Sequence, residues 1–188
     1  MQVITSQLSG KFSKQDNKLF ELRRKLIAAG VEVEFPFNDK IISEYKGIPI
    51  TFIPTADRTF YDIEIAFYQS IRKNPVHIVH NRFGEMEGYI GESVSIEIAY
   101  AILHNKPVIL LFAPFFTEKV PLAIRALIET NCTNLFIQRI DLMSKVKLIS
   151  YISEAIRYFK KPYVCDSFAE INVMDCIANL FREYKLRY

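Results

Sequence analysis

The sequence predicts an α/β fold, a Rossmann-like three-layer αβα arrangement with a parallel sheet of about five strands and a helical C-terminal extension. Two observations predict it. Short apolar segments with the character of strands alternate along the chain with segments whose apolar residues recur at helical spacing. The run 107–112 is apolar almost throughout, which is typical of a strand buried on both faces of a parallel sheet.

The chain begins with a strand–helix–strand unit, the smallest sign of a parallel sheet. Residues 2–5 predict the first strand, and 7–14 predict a polar loop. Residues 15–29 predict a helix because leucine and isoleucine recur on one face, and Gly30 marks its end. Residues 31–35 predict the second strand.

The rest of the chain continues this alternation. The pattern is unclear between 38 and 57, where 50–53 is either a short strand or an extended loop. The other predicted elements are a helix at 60–72, a strand at 76–79, a loop at 82–91, a helix at 93–104, a strand at 107–112, a helix at 121–129, an edge strand at 135–138, and helices at 144–159 and 168–184. We expect one domain over 1–188, with a core at 1–112 and a mainly helical completion at 113–188.

Composition argues against several classes of protein. The net charge of +3 gives no reason to expect nucleic acid or a membrane as a partner. No uncharged apolar run approaches the roughly 20 residues of a membrane span, and the N-terminus lacks the basic start of a signal peptide. The 3 cysteines are far apart, and the 3 histidines lack metal-site spacing. We therefore expect reduced thiols, a cytoplasmic location, no metal and no cofactor.

Two polar segments are candidates for a ligand site, because ligands of open parallel sheets bind beyond the carboxyl ends of the strands. The first is the predicted loop after strand one, which contains Ser6, Gln7 and Gly10. The second is 80–95, after the strand at 76–79. If these strands are neighbours in the sheet, the two segments meet at the same edge.

The second segment carries a glycine-rich turn that leads into a helix. Gly88 and Gly91 permit close approach of a ligand to the backbone. Ser93 is a good N-cap, and Ser95 lies in the predicted first turn, where free N–H groups favour an anionic oxygen such as a phosphate. The alternative is that the glycines only form a turn and Ser93 only caps a helix.

Glu97 is the candidate for chemistry on this helix. Isoleucine lies on both sides of it, and the helix lies between two apolar strands, so its carboxylate is expected to be buried. Glutamate is seldom buried unless it is paired or functional. The alternative is a surface helix with Glu97 in water. Glu64 is a candidate second carboxylate for acid–base work, although a solvated helix face accounts for it better.

The stretch from Asn81 to Val108 resembles the nucleoside 2-deoxyribosyltransferase-like superfamily. The motif is Gly-Tyr-Ile-Gly-Glu-Ser-Val-Ser-Ile-Glu-Ile-Ala-Tyr-Ala at 88–101, followed by Asn-Lys-Pro-Val at 105–108. The loop Thr-Ser-Gln-Leu-Ser-Gly-Lys at 5–11 and the strand at 30–33 look like the corresponding parts of the same family. The resemblance spans roughly the first 112 residues.

The resemblance implies cleavage or transfer at the N-glycosidic bond of a nucleoside or nucleoside 5′-monophosphate. In the family, a glutamate on this helix attacks the anomeric carbon, and Glu97 matches it. Gly91, Ser93 and Ser95 match the turn and helix start that hold a 5′-phosphate. The expected substrate-binding residues are Ser6, Gln7, Gly10, Asn81, Gly88, Tyr89, Gly91, Ser93 and Ser95. The resemblance also implies a homodimer or a larger homo-oligomer.

The first strand departs from the family pattern. The transferases carry a tyrosine there that positions the nucleophile, whereas this chain has Val3, Ile4 and Thr5. This departure keeps a second hypothesis open, a nucleotide-binding or sensing module of the same fold without catalysis. A third hypothesis is a structural subunit in which Glu97 makes a buried ion pair.

Overall fold

The structure is a computed structural model that describes residues 3–10, 18–34, 43–45, 48–50, 60–131 and 135–159. For 43–45, 48–50 and 60–64 it describes the backbone alone. The predicted helix at 168–184 and residues 11–14 of the predicted loop at 7–14 lie outside these ranges.

The described strands and helices alternate as the sequence predicts. The strands are β1 (Ile4–Gly10), β2 (Val31–Glu34), β3 (Ser43–Tyr45), β4 (Ile48–Ile50), β5 (His77–His80), β6 (Arg82–Phe83), β7 (Met86–Glu87), β8 (Tyr89–Ile90), β9 (Val108–Leu110), β10 (Phe115–Phe116) and β11 (Leu135–Ile137). The helices are α1 (Lys18–Ala28), α2 (Phe60–Lys73), α3 (Glu92–Leu103), α4 (Leu122–Thr130) and α5 (Lys145–Tyr158), with a 3-10 turn at Ile140–Leu142.

A parallel sheet in the order β2-β1-β5-β9-β11 forms the centre of the fold. Its strand β9 is apolar, and the three residues of β9 are all buried, as expected for a strand covered on both faces. β11 lies at one edge, as predicted. The predicted three-layer α/β fold with a sheet of about five strands is confirmed.

Helices cover both faces of this sheet. On one face, α1 and α5 pack through Leu22, Leu26 and Leu148 against a core that includes Leu8 and Ile109. This is the α1/α5 face.

On the other face, α2, α3 and α4 pack through Ile71, Ile98 and Ile124 against Val79 and Leu110. This is the α3 face. Because strand side chains alternate between the two faces, each residue of β1 and β5 is assigned to one of them.

Within the described ranges, no helix is both long and apolar enough to cross a lipid bilayer.

The first strand differs from the prediction. β1 begins at Ile4 and continues to Gly10, so Ser6, Gln7 and Ser9 lie in a strand and the predicted loop start at residue 7 is wrong. Strand β1 pairs with both β2 and β5, and these ladders satisfy its backbone groups. The side chains of Gln7 and Ser9 are hydrogen-bonded in the interior. Buried polar side chains with hydrogen-bond partners are compatible with a strand, so the polarity of this segment did not indicate a loop.

The predicted loop at 82–91 also contains regular structure. β6 and β7 form a hairpin around Gly84, which has a φ of 58°. β8 then pairs in parallel with β10. Within 38–57, β3 and β4 form a small antiparallel pair. β4 includes Ile50, the first residue of the predicted 50–53, and residues 51–53 lie outside the described ranges.

Candidate functional site

The sheet order creates a switch point between β1 and β5. From β1 the chain passes to β2 on one side, and it returns later to β5 on the other side. In open α/β sheets, ligands bind beyond the carboxyl ends of the strands at such a point. Gly10 and His80 end these two strands and are paired in register. This edge is therefore the expected position of a ligand site.

Two polar side chains of β1 lie on the α3 face of the sheet. Gln7 and Ser9 alternate with Leu8, which belongs to the core of the α1/α5 face. Both are buried, at 1% and 3% exposure. Ser9 Oγ lies 2.5 Å from Nε2 of His77, which is fully buried on β5. Burial lowers the pKa of His77 from 6.5 to about 3, so the imidazole is neutral at physiological pH.

Gln7 belongs to a second polar cluster beside the first. The hydroxyl of Ser70 on α2 contacts both Oε1 of Gln7 and the carboxylate of Glu34 at the end of β2. Lys73 donates to the same carboxylate at 2.8 Å. Burial alone would raise the pKa of Glu34, but the hydrogen bonds from Lys73 and Ser70 outweigh it and lower that pKa. These contacts join β1, β2 and α2.

Ser6 lies on the opposite side of the sheet from Gln7 and Ser9. Its side chain alternates in step with Ile4 and Leu8, which pack on the α1/α5 face. It is fully buried, and its hydroxyl has no hydrogen-bond partner among the described residues. The structure therefore does not bring Ser6 together with the start of α3.

Glu97 is buried on α3, with 8% of its surface exposed. Ile96 and Ile98 on either side of it are exposed by 1% and 0%. Thus the predicted burial of Glu97 is confirmed, and the alternative of a solvated helix face is wrong. Helix α3 packs against β1, β5 and β9, and the first two of these strands carry Ser9 and His77.

The N-cap of α3 is two residues earlier than predicted, and the helix begins one residue earlier. Gly91 is the N-cap and the helix begins at Glu92, so the prediction of Ser93 as N-cap is wrong. Glycine has no side chain to bond the first N–H groups, and Ser95 donates its hydroxyl backward to the carbonyl of Glu92 at 2.6 Å. The first turn consequently has no side-chain cap, the arrangement in which helix N–H groups are open to an anion.

The structure explains why positions 88 and 91 of the motif are glycine. Gly88 has a φ of 79°, and a β-carbon there would overlap the carbonyl oxygen of Ala113. Its own carbonyl accepts from the N–H of Phe115 at 2.7 Å. A β-carbon at Gly91 would come within 3.2 Å of the Tyr89 hydroxyl. Gly88 therefore permits contact between two backbone segments, and Gly91 lies beneath the ring of Tyr89.

Asn81 connects the carboxyl ends of β5 and β9. Its Nδ2 donates to the carbonyl of Phe112 at 2.8 Å, and its Oδ1 accepts from the N–H groups of Leu111 and Phe112 at 2.9 and 3.1 Å. It is 1% exposed. These bonds give Asn81 a positioning role at the candidate edge.

The structure brings together only part of the predicted set. Gln7, Ser9 and Glu97 share the α3 face, with Gly91 and Ser93 at the start of the same helix. Gly10 closes β1, where a β-carbon would lie 3.0 Å from the carbonyl of His80. Glu64 lies on α2 as predicted, but its side chain is outside the described residues.

Sequence reasoning did not predict the pairing of Ser9 with His77 or the role of Ser70. The alternation of Gln7, Leu8 and Ser9 is the signal that could have indicated a strand with one polar face. Among the described side chains, no three His, Cys, Asp or Glu residues come together as a metal site requires.

Comparison of the chain with models of protein families, with curated proteins and with solved structures gave no match.

Proposed function

We propose that this protein cleaves or transfers the N-glycosidic bond of a nucleoside or nucleoside 5′-monophosphate, with Glu97 as the nucleophile. The observation that carries the proposal is the burial of Glu97, at 8% exposure, on a helix over the switch point of a parallel sheet. A buried carboxylate costs stability unless it is paired or used. The resemblance of 88–101 to the deoxyribosyltransferase-like motif supports the assignment of this carboxylate.

The chemistry divides one substitution into two steps. A carboxylate oxygen of Glu97 attacks the anomeric carbon, the bond to the base nitrogen breaks, and its electron pair leaves with the base. The resulting glycosyl ester is attacked at the same carbon by water or by a second base. The ester bond then breaks, and its electrons return to Glu97.

The start of α3 is suited to a phosphate or sugar oxygen. Its first turn lacks a side-chain cap, and the helix dipole favours an anion there. Ser93, partly exposed at the second helical position, offers a hydroxyl at the same place. We assign a 5′-phosphate to this position under the proposal.

Incubation with a panel of nucleosides and 5′-monophosphates, followed by chromatography of released bases, tests the proposal. Wild-type protein should release base, and Glu97→Gln should lower the rate by at least about a thousandfold, as expected for loss of a nucleophile. Glu154→Gln is the matched control, an exposed glutamate on α5, which packs on the opposite face of the sheet. Its rate should stay within a few-fold of wild type. Absence of release from every substrate would overturn the proposal.

A second candidate is a nucleotide-binding module without catalysis. The described residues of the α3 face favour it in one respect: His77 has a pKa of about 3, too low to supply a proton to a leaving base near neutral pH. Strand β1 also carries no tyrosine. Under this hypothesis, nucleoside 5′-monophosphates should raise the melting temperature without turnover.

The third hypothesis, a structural ion pair at Glu97, makes a different prediction. Breaking a buried pair on one side costs about 3–5 kcal/mol. The structural hypothesis therefore predicts a loss of about that size for Glu97→Gln in a protein whose wild type releases no base, whereas our proposal predicts loss of base release in a variant that remains folded. Urea unfolding monitored by circular dichroism measures the difference.

A further inference from the structure

A cavity of about 250 Å³ opens at the carboxyl edge of the sheet, on the side away from Glu97. Leu22 and Leu111 form part of its wall, and both belong to the core of the α1/α5 face. Glu97 lies on α3, which packs on the other face with Val79 and Leu110. The cavity is therefore separate from the candidate nucleophile and does not depend on the proposed function.

The charged side chains of the cavity are mostly cationic. They are Lys18, Lys25, Arg82 and Arg139, against the carboxylates of Glu21 and Asp141. The lining thus retains two more positive than negative charges. A phosphate monoester carries close to two negative charges at neutral pH, about −1.5 to −2, which would balance this excess.

Arg139 is held in place for binding. Its guanidinium lies 4.6 Å from the centroid of the Phe112 ring and donates two hydrogen bonds to Asp141, at 2.8 and 2.6 Å. The carbonyl of Asp141 accepts from Nζ of Lys25 at 2.5 Å. Lys25 of α1 and Arg139 of the segment after β11 are therefore both held by Asp141. Because these side chains are already ordered, binding an anion costs less conformational entropy.

Arg82 contributes a second guanidinium from β6, two residues after β5 ends. Its side chain is only 10% exposed, and Nε donates to the carbonyl of Gly84 at 2.7 Å. Its terminal nitrogens contact Glu85 and Glu87 at 3.1 and 3.5 Å. Those carboxylates are 92% and 54% exposed, so water can replace these weak contacts at little cost.

Arg82 and Arg139 line the same cavity. The pKa of Arg139 is raised first by its hydrogen bond to Asp141, and the negative charges of Asp141 and Glu87 add to it. Two guanidiniums are thus available to one ligand in this cavity, and guanidinium forks match phosphate geometry well.

We propose that this cavity binds the phosphate group of a small phosphorylated molecule, with four cations of its lining, Lys18, Lys25, Arg82 and Arg139, as ligands. The volume of about 250 Å³ is below the usual range for drug-sized ligands, about 300–1,000 Å³, so the organic part is small. Glu85 is the exchangeable counter-ion that the phosphate displaces from Arg82.

Isothermal titration of the full chain with inorganic phosphate at constant ionic strength tests the proposal. Arg82→Gln and Lys18→Gln should each weaken binding, Arg82→Gln by about tenfold or more, because charge-assisted hydrogen bonds are lost. Lys18 is 44% exposed at its side chain, so its replacement keeps the fold intact. Glu85→Gln should tighten binding severalfold, because it removes the competing carboxylate. Lys119→Gln, an exposed lysine before α4, is the matched control and should change nothing.

Two outcomes would overturn the proposal. One is the absence of phosphate binding by the wild-type protein at millimolar concentration. The other is binding that survives Arg82→Gln and Lys18→Gln but is lost in Ser93→Ala, which would locate the phosphate at α3 instead. Base release in the Glu97 experiment is measured separately, so failure of the proposed function leaves this result unaffected.

Discussion

Ser9 Oγ and Nε2 of His77 are hydrogen-bonded at 2.5 Å between the two central strands of the sheet. Both residues are almost completely buried, and the second ring nitrogen, Nδ1, has no hydrogen-bond partner among the described residues. A charged imidazole would therefore lie in a low-dielectric interior with one bond from a hydroxyl. The pair makes the fold sensitive to acid.

Because of His77, the free energy of unfolding should decrease as the pH is lowered below 6.5. The folded protein keeps this imidazole neutral down to a pKa of about 3, whereas the unfolded chain protonates it near 6.5. Below 6.5 the unfolded state binds the extra proton, so the free energy of unfolding decreases with falling pH, by about 1.4 kcal/mol per unit at the steepest. This contribution is fully present above 6.5 and is lost as the pH falls toward 3.

Urea unfolding of wild type and His77→Gln between pH 7 and 4.5 measures that slope. Carboxylates titrate in both proteins, so the difference between the two curves isolates the histidine. The variant should show a flatter curve; equal slopes would contradict the assigned pKa.

Replacing Ser70 with alanine should destabilise the fold by about 1–3 kcal/mol. The hydroxyl contacts Gln7 and Glu34, and its loss leaves buried polar atoms with fewer partners. Ser150→Ala is the matched control: this exposed serine bonds Glu154 at 3.3 Å on the surface of α5. Its effect should be below about 0.5 kcal/mol. Thermal melts of both variants make the comparison.

Two glycines should respond differently to alanine. At Gly88 both the positive φ of 79° and the overlap with the Ala113 carbonyl oppose a β-carbon. We therefore expect Gly88→Ala to lower the free energy of unfolding by more than about 3 kcal/mol. Gly84 has a φ of 58° but nothing within 4 Å of a β-carbon, so only the backbone cost of about 1–2 kcal/mol applies. Equal melting temperatures for Gly88→Ala and Gly84→Ala would refute the close approach.

Asn81→Asp should be strongly destabilising. Oδ1 of Asn81 accepts two backbone N–H groups, a role that a carboxylate can also fill, but Nδ2 donates to the Phe112 carbonyl. In the aspartate variant an oxygen faces that carbonyl at about the same distance, and a buried charge is added. We expect a loss of about 2–4 kcal/mol at pH 7 and a partial recovery near pH 4, where the carboxyl group is protonated and can donate. Urea unfolding at the two pH values measures this difference.

The periodicity of apolar residues was sufficient to predict the described layers. α2, α3, α5 and β9 lie where their patterns indicate, within a few residues at each end. Helical and strand periods act locally, and burial of their apolar sides requires the layered arrangement. The same reasoning predicted that Glu97 is buried, because its neighbours on the helix are both isoleucine.

Contacts between residues far apart in the chain could not be predicted from local periodicity. Ser9 and His77 are 68 positions apart in the chain, and their pairing depends on β1 and β5 being neighbours in the sheet. The N-cap at Gly91 depends on how β8 pairs with β10 before the helix begins. Neither relationship follows from a local pattern, since each requires the order and register of strands.

The sequence by itself determined the fold class and the burial of Glu97, because both follow from local periodicity and the need to cover apolar faces. Only the tertiary structure decided which polar groups lie near one another. It placed Gln7 and Ser9 on the α3 face and Ser6 on the other, because a strand directs successive side chains to opposite faces and β1 extends further than its polarity suggests.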